Sequence, residues 1–249
     1  MLMQTTVLAR KQYPVVSTAD PLHVAIICDG NGRWATAQGM ARSAGHRAGA
    51  ETARRIIRTA PHLNIGTLTL FALSSANWAR PSTEVNAILQ ILHEYLLVET
   101  THCLDEGIRL SVIGRRDRLS GVLRETIADC EALTAKGTKL HLRLAVDYSA
   151  RQSIFQAAAK FYKVTDLSSE SFSDVLSEVM RGGSTEVDLL IRTGGEQRIS
   201  DFLLWECAYA EFLFLEKRWP DFSPADLRNA VGEFLRRERT RGALPQECV

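Results

Sequence analysis

Apolar runs of strand length alternate with segments of helical spacing through most of the chain. Runs at 24–28, 67–73, 109–113, 140–146, 187–191 and 212–215 predict strands. In the segment after the second run, Val85, Ile88, Leu89, Leu92, Tyr95 and Leu96 recur at i, i+3, i+4 and i+7 intervals, one face of a helix. Pro81 stiffens the approach to that helix, and Ser82 or Thr83 is expected to cap it. Another helix starts near Ser120 and carries Ala128, Cys130 and Leu133. A further one spans 150–163, and 166–183 reads as a short helix between flexible connections. Ser223-Pro224 opens the last helix, with serine at the cap and proline in the first helical position.

Alternation of this kind predicts a single α/β domain, a mainly parallel sheet of about six strands flanked by helices. Right-handed crossovers then bring all strand C-termini to one edge, where open α/β sheets bind ligands. A length of 249 residues suits one such domain.

Charge and composition mainly exclude. A net charge of +1 gives no reason to expect nucleic acid, so basic character must be local. The basic run from Arg236 to Arg241 reads as a solvated helix end. Cys28, Cys103, Cys130, Cys207 and Cys248 are scattered without a C-x-x-C pair, which fits a reducing compartment and argues against a disulfide framework or zinc site. Residues 1–20 lack the apolar core of a signal peptide, and no apolar run reaches membrane-spanning length. A cytoplasmic protein is expected.

The chemistry gathers after the strands. The first run ends in Asp29-Gly30-Asn31-Gly32-Arg33-Trp34, a carboxylate followed by a tight loop and a helix start. Its glycine spacing is neither a dinucleotide fingerprint nor a P-loop. Helix starts favour anions, and a carboxylate beside an anion suggests a bridging divalent cation. After the second run comes Ser74 to Pro81, with Asn77, Trp78 and Arg80; after the fifth comes Arg192 to Ser200, with Thr193-Gly194-Gly195 and Arg198. Arg42 and His46 follow the first loop. Guanidinium forks suit phosphate oxygens, and Thr193-Gly194-Gly195 is expected to offer backbone N–H groups to an anion. So many arginines at one edge suit two diphosphates better than one phosphate.

In these segments, together with 208–211 and 219–222, the chain resembles the cis-prenyltransferases (Z-isoprenyl diphosphate synthases), the bacterial undecaprenyl diphosphate synthases most of all. The similarity runs over residues 21–242, which makes that span the catalytic domain and leaves 1–20 and 243–249 as flexible ends. The resemblance implies Mg²⁺-dependent condensation of isopentenyl diphosphate with an allylic diphosphate, farnesyl or geranyl, to a Z-polyprenyl diphosphate. It assigns Asp29 and Asn77 to catalysis and Asp29 and Glu211 to the metal. Gly30, Asn31, Gly32, Arg33, Arg42 and His46 would cradle the allylic diphosphate, His46 as anchor or proton carrier. Trp34 would meet the first isoprene units. Arg192, Arg198 and Ser200 would hold isopentenyl diphosphate, while Ser74, Asn77, Trp78 and Arg80 sit on a loop that closes over the substrates. An apolar tunnel would be lined by Ala72, Ile88, Leu92, Leu96, Leu140 and Val146. A homodimer through residues 205–219 and transient membrane contact for product release are also implied.

Several positions depart from the family's usual residues. Ala76 stands for Glu, Leu73 for Phe, Cys28 for Met, Gln197 for His, and Asp147-Tyr148-Ser149-Ala150 for Asn-Tyr-Gly-Gly. These put chain length and efficiency in question, so a shorter Z-product or a branching synthase stands as an alternative. A non-catalytic partner subunit fits less well, because Asp29, Arg192 and Arg198 are all present. Glu211 also sits at the start of the sixth run, the wrong edge for a site at strand C-termini unless that strand is reversed or its loop carries Glu211 across.

Overall fold

Every residue of β1 (Leu22–Ile27) is buried, as expected for a strand covered on both faces. It lies inside a sheet with β2 (Ile65–Ser74), β3 (Ile108–Ile113), β4 (Leu140–Tyr148), β5 (Leu189–Arg192) and β6 (Glu211–Phe214). The order is β3-β4-β2-β1-β5-β6, and every pairing is parallel. The computed structural model describes residues 20–162, 168–180, 183 and 186–238. Expectations for the segments before 20 and after 238, for Lys163, and for parts of 166–183 fall outside these residues.

Helices cover both faces. On one lie α2 (Arg42–Thr59), α3 (Ser82–Asp105), α4 (Gly121–Thr134) and α7 (Pro224–Phe234), whose Ile56, Leu96, Ile127 and Phe234 pack on Val24, Leu68 and Leu142 of the sheet. On the other lie α5 (Ala150–Phe161) and α6 (Ser169–Met180), with Ala157 and Leu176 against Ala25 and Ala145. α1 (Asn31–Thr36) is a short turn of helix directly after β1.

The caps follow the sequence in part. Ser120 and Ser223 accept hydrogen bonds from Leu123 and Asp226 amides, as the N-cap rule requires. α3 differs: it begins at Ser82 with Pro81 at the cap position and no side-chain cap. Proline there sets the entry angle, and Ser82 is already inside the helix. The predicted apolar face of α3 is the buried one, whereas Ala128 and Leu133 of α4 are exposed and Leu123, Ile127 and Cys130 form its inner face.

Because the sheet is wholly parallel, all strand ends meet one edge. The tension over Glu211 resolves accordingly: β6 is not reversed, and Glu211 pairs with Leu189 at the start of β5. Within one chain it therefore lies at the edge opposite Asp29, and its carboxylate takes Arg237 Nη1 at 2.8 Å. The chain does not bring Asp29 and Glu211 to a common metal.

Candidate active site

Asp29 leaves β1 beside Arg192, the last residue of β5, its parallel neighbour. Arg192 Nη2 donates to Asp29 Oδ2 at 2.9 Å, and its Nη1 donates to Ser200 Oγ at 2.7 Å and to the carbonyl of Arg198. One buried guanidinium thus fixes both the carboxylate and the 198–200 loop. Asp29 Oδ1 accepts the Gly30 amide at 2.6 Å and faces Arg33 Nη2 at 3.3 Å. Burial pushes the Asp29 carboxyl up, but the Arg192 hydrogen bond and the charges of Arg33 and Arg192 outweigh it and hold it below the usual range. It is ionised at neutral pH.

The glycines of the fifth loop do something other than expected. Gly194 and Gly195 adopt φ of 88° and 83°, a region that L side chains avoid. Their amides donate to the carbonyls of Lys217 and Leu215, both at 2.9 Å, so they tie the loop to the segment after β6. They do not offer N–H groups to an anion. A Cβ on Gly194 would meet Arg33 Nη2 at 2.8 Å, so this position also lets Arg33 lie against the strand end.

The second loop is a 3-10 turn (Ser75–Ala79) closed by a reciprocal cap, in which Ser74 Oγ accepts the Asn77 amide and Asn77 Oδ1 accepts the Ser74 amide, each at 3.2 Å. Ser74 and the Asn77 side-chain carbonyl therefore shape the loop. Arg80 Nη1 reaches Glu84 Oε1 at 3.2 Å. The same carboxylate takes Arg42 through Nε and Nη2, at 2.9 and 3.1 Å, and His46 Nε2 at 3.1 Å. Burial lowers the His46 pKa, Glu84 opposes that, and Arg80 and Arg42 reinforce it, so the net direction is down. The imidazole is neutral near pH 7 and donates from Nε2 to Glu84.

Beneath this ionic rim lies an apolar cavity of about 110 Å³. Cys28, Asn31 and His46 stand at the rim end, while Ile88, Leu92 and Tyr95 of α3 line it further in. Ala72, Ile88 and Leu92 border it as expected, with Leu70 and Leu144 added. Leu140 and Val146 share the Leu144 face of β4, but both are closed into the core and do not reach the cavity. Trp34 is not among its lining residues, and its indole donates to Asp221 Oδ1 at 2.7 Å. Arg198 is exposed and paired with Glu196 at the rim.

Sequence reasoning missed Glu84, although Arg80 and Glu84 stand four apart, the one signal available. It also missed Asp201, which accepts Ser149 Oγ at 2.5 Å and the Arg151 amide at 2.9 Å and so pins the 198–203 loop to the start of α5. The Arg118–Asp147 pair, which holds the second loop, left no periodic trace.

Asp29 is the carboxylate at the strand end, and the described residues hold no group of three His, Cys, Asp or Glu that could cage a metal. That donor set fits Mg²⁺, which is commonly held by one or two carboxylates, waters and substrate phosphates.

An arginine-rimmed strand edge above an apolar cavity gives this α/β protein a site that suits an amphiphile with an anionic head. The family model described as putative undecaprenyl diphosphate synthase matches residues 27–242. "Isoprenyl transferase 1" of Bradyrhizobium diazoefficiens is 52% identical over 94% of this chain and 94% of its own. The isoprenyl transferase of Brucella abortus is 44% identical over 91% of each. Among solved structures, lavandulyl diphosphate synthase from Lavandula x intermedia, in complex with dimethylallyl diphosphate, superposes with a TM-score of 0.82 at 34% identity, covering 88% of this chain and 97% of that one. A probable undecaprenyl diphosphate synthase from Campylobacter jejuni gives 0.75 at 31%, covering 90% and 100%. The chain belongs to the cis-prenyltransferase family and is a prenyltransferase.

Proposed function

We propose that the protein condenses isopentenyl diphosphate with an allylic prenyl diphosphate, farnesyl or geranyl, and releases diphosphate and a longer Z-prenyl diphosphate. The observation that carries this is the apolar cavity whose rim end holds Asn31 and His46 next to the Arg42–Arg80 cluster. The allylic tail enters the cavity and its diphosphate stays among Arg33, Arg42, His46 and the start of α1. Arg192, Arg198 and Ser200 hold isopentenyl diphosphate. The allylic C–O bond breaks, C4 of isopentenyl diphosphate bonds to C1, and the C2 proton passes to the departing diphosphate as the Z double bond forms. Negative charge grows on the departing diphosphate, and fixed guanidinium groups stabilise it without reorganising. Asp29 holds Mg²⁺, which when bound neutralises diphosphate charge. Asp29 and Arg192 keep one another oriented, and Asn77 turns its amide nitrogen to the substrates as the loop closes.

Tyr95 favours a second reading of the product. It lines the cavity from α3 with Ile88 and Leu92, and a bulky ring on that wall supports a short- or medium-chain Z-product. A homodimer is supported by the exposed Trp205, Tyr209 and Phe212 in and before β6, an edge strand among the described residues. Cys28, Cys103, Cys130 and Cys207 are free thiols, in keeping with a cytoplasmic enzyme, and no described helix is long and apolar enough to cross a membrane.

Incubation with farnesyl diphosphate, labelled isopentenyl diphosphate and Mg²⁺ should give a longer Z-prenyl diphosphate. No product with any primer from dimethylallyl to geranylgeranyl diphosphate would sink the reading.

A further inference from the structure

We propose that Glu84 is the positioning residue that assembles Arg42, His46 and Arg80 into a single diphosphate-facing cluster. The three cationic or donor groups come from separate places: Arg42 and His46 from the first turns of α2, and Arg80 from the end of the second loop. Among the described residues, Glu84, in the first turn of α3, is the only carboxylate bonded to all three. Its side chain is 10% exposed, so these contacts are made largely out of solvent.

The geometry leaves specific groups for a ligand. Arg42 spends Nε and Nη2 on the two oxygens of Glu84, and its Nη1 lies over α1 at Gly32. A Cβ on Gly32 would overlap that guanidinium, so the bare glycine is what lets Arg42 lie there. Arg80 spends one Nη1 contact and keeps its remaining donors. Without the carboxylate, Arg42 and Arg80 would repel each other, and two long side chains would regain their rotamer freedom. The role also links the second loop to the cradle, because Arg80 ends that loop and Arg42 begins α2.

This rests on the diphosphate reading of the site, but its test does not need turnover. A carboxylate that merely occupied the site would compete with an anion, and its removal would tighten anion binding. A positioning carboxylate predicts the opposite sign. Inorganic diphosphate binding, measured by calorimetry on the full chain, should weaken about tenfold in Glu84→Ala and less in Glu84→Gln, which keeps one acceptor oxygen. The His46 imidazole, followed by NMR, should titrate lower in both variants, since Glu84 favours its protonated form against Arg42, Arg80 and burial. That titration checks the Glu84–His46 contact itself, and the sign of the diphosphate effect separates positioning from mere occupancy. Diphosphate binding equal to or tighter than wild type in folded Glu84→Gln, or an unmoved His46 titration, would overturn the proposal. Wild-type binding of diphosphate without prenyl transfer would instead count against the elongase reading alone.

Discussion

The guanidinium carbon of Arg118 lies 4.6 Å from the ring centroid of Trp78. The same guanidinium is bidentate on Asp147, which is fully buried and also accepts Ser75 Oγ at 2.8 Å. Ser75 and Trp78 both belong to the second loop, so one ion pair at the end of β4 holds that loop from below.

Arg118→Ala should therefore unfold more easily, by about 2 kcal/mol in urea titration, because a buried carboxylate loses its charged partner. Trp78 should also change its fluorescence. An unfolding midpoint and emission spectrum equal to wild type would show that the pair does not anchor the loop.

Asp29→Ala should lower kcat/KM about a thousandfold, the scale for losing a group that stabilises transition-state charge. Thermal unfolding should come somewhat earlier while the fold is kept, since the buried Arg192 loses its ionic partner but keeps Ser200 and the Arg198 carbonyl. Retained turnover would move the metal role elsewhere.

The pKa of Glu84 is lowered to about 2, chiefly by the Arg42 hydrogen bond, with burial opposing and His46 assisting. A carboxyl depressed in the folded state adds stability above its unfolded pKa and loses it as pH falls through the folded one. The stability gap between wild type and Glu84→Gln should be full near pH 6 and shrink between about 4.5 and 2. A gap that widened on acidification would contradict the ion-pair assignment.

Tyr95→Ala should lengthen the products by one or more isoprene units, read by thin-layer or mass analysis of the dephosphorylated alcohols. Val146→Ala should leave the distribution unchanged, because Val146 faces the closed core. The reverse outcome would put the tunnel floor on β4.

Much of this was legible in the sequence because it is periodic or punctual. Strand-length apolar runs gave β1 to β6 to within a few residues, and Asp29 and Arg192 announced themselves as charges ending such runs. The meeting of Arg42 and Arg118 with their carboxylates was not legible. Arg42 and Glu84 are 42 residues apart and Arg118 and Asp147 are 29 apart, and no spacing rule connects charges across elements. The direction of the Gly194 and Gly195 amides is not legible either, for a related reason. A glycine pair signals left-handed backbone, but which carbonyl takes its N–H depends on where β6 ends.

The order β3-β4-β2-β1-β5-β6 has a consequence for how the enzyme is made. β1 emerges first from the ribosome, yet one of its flanks waits for β5, after most of the chain has been synthesised. Until then an apolar strand edge stands open to other nascent chains, and Asp29 has no Arg192. Ribosome-bound chains ending before Arg192 should lean on chaperones and be chemically inert.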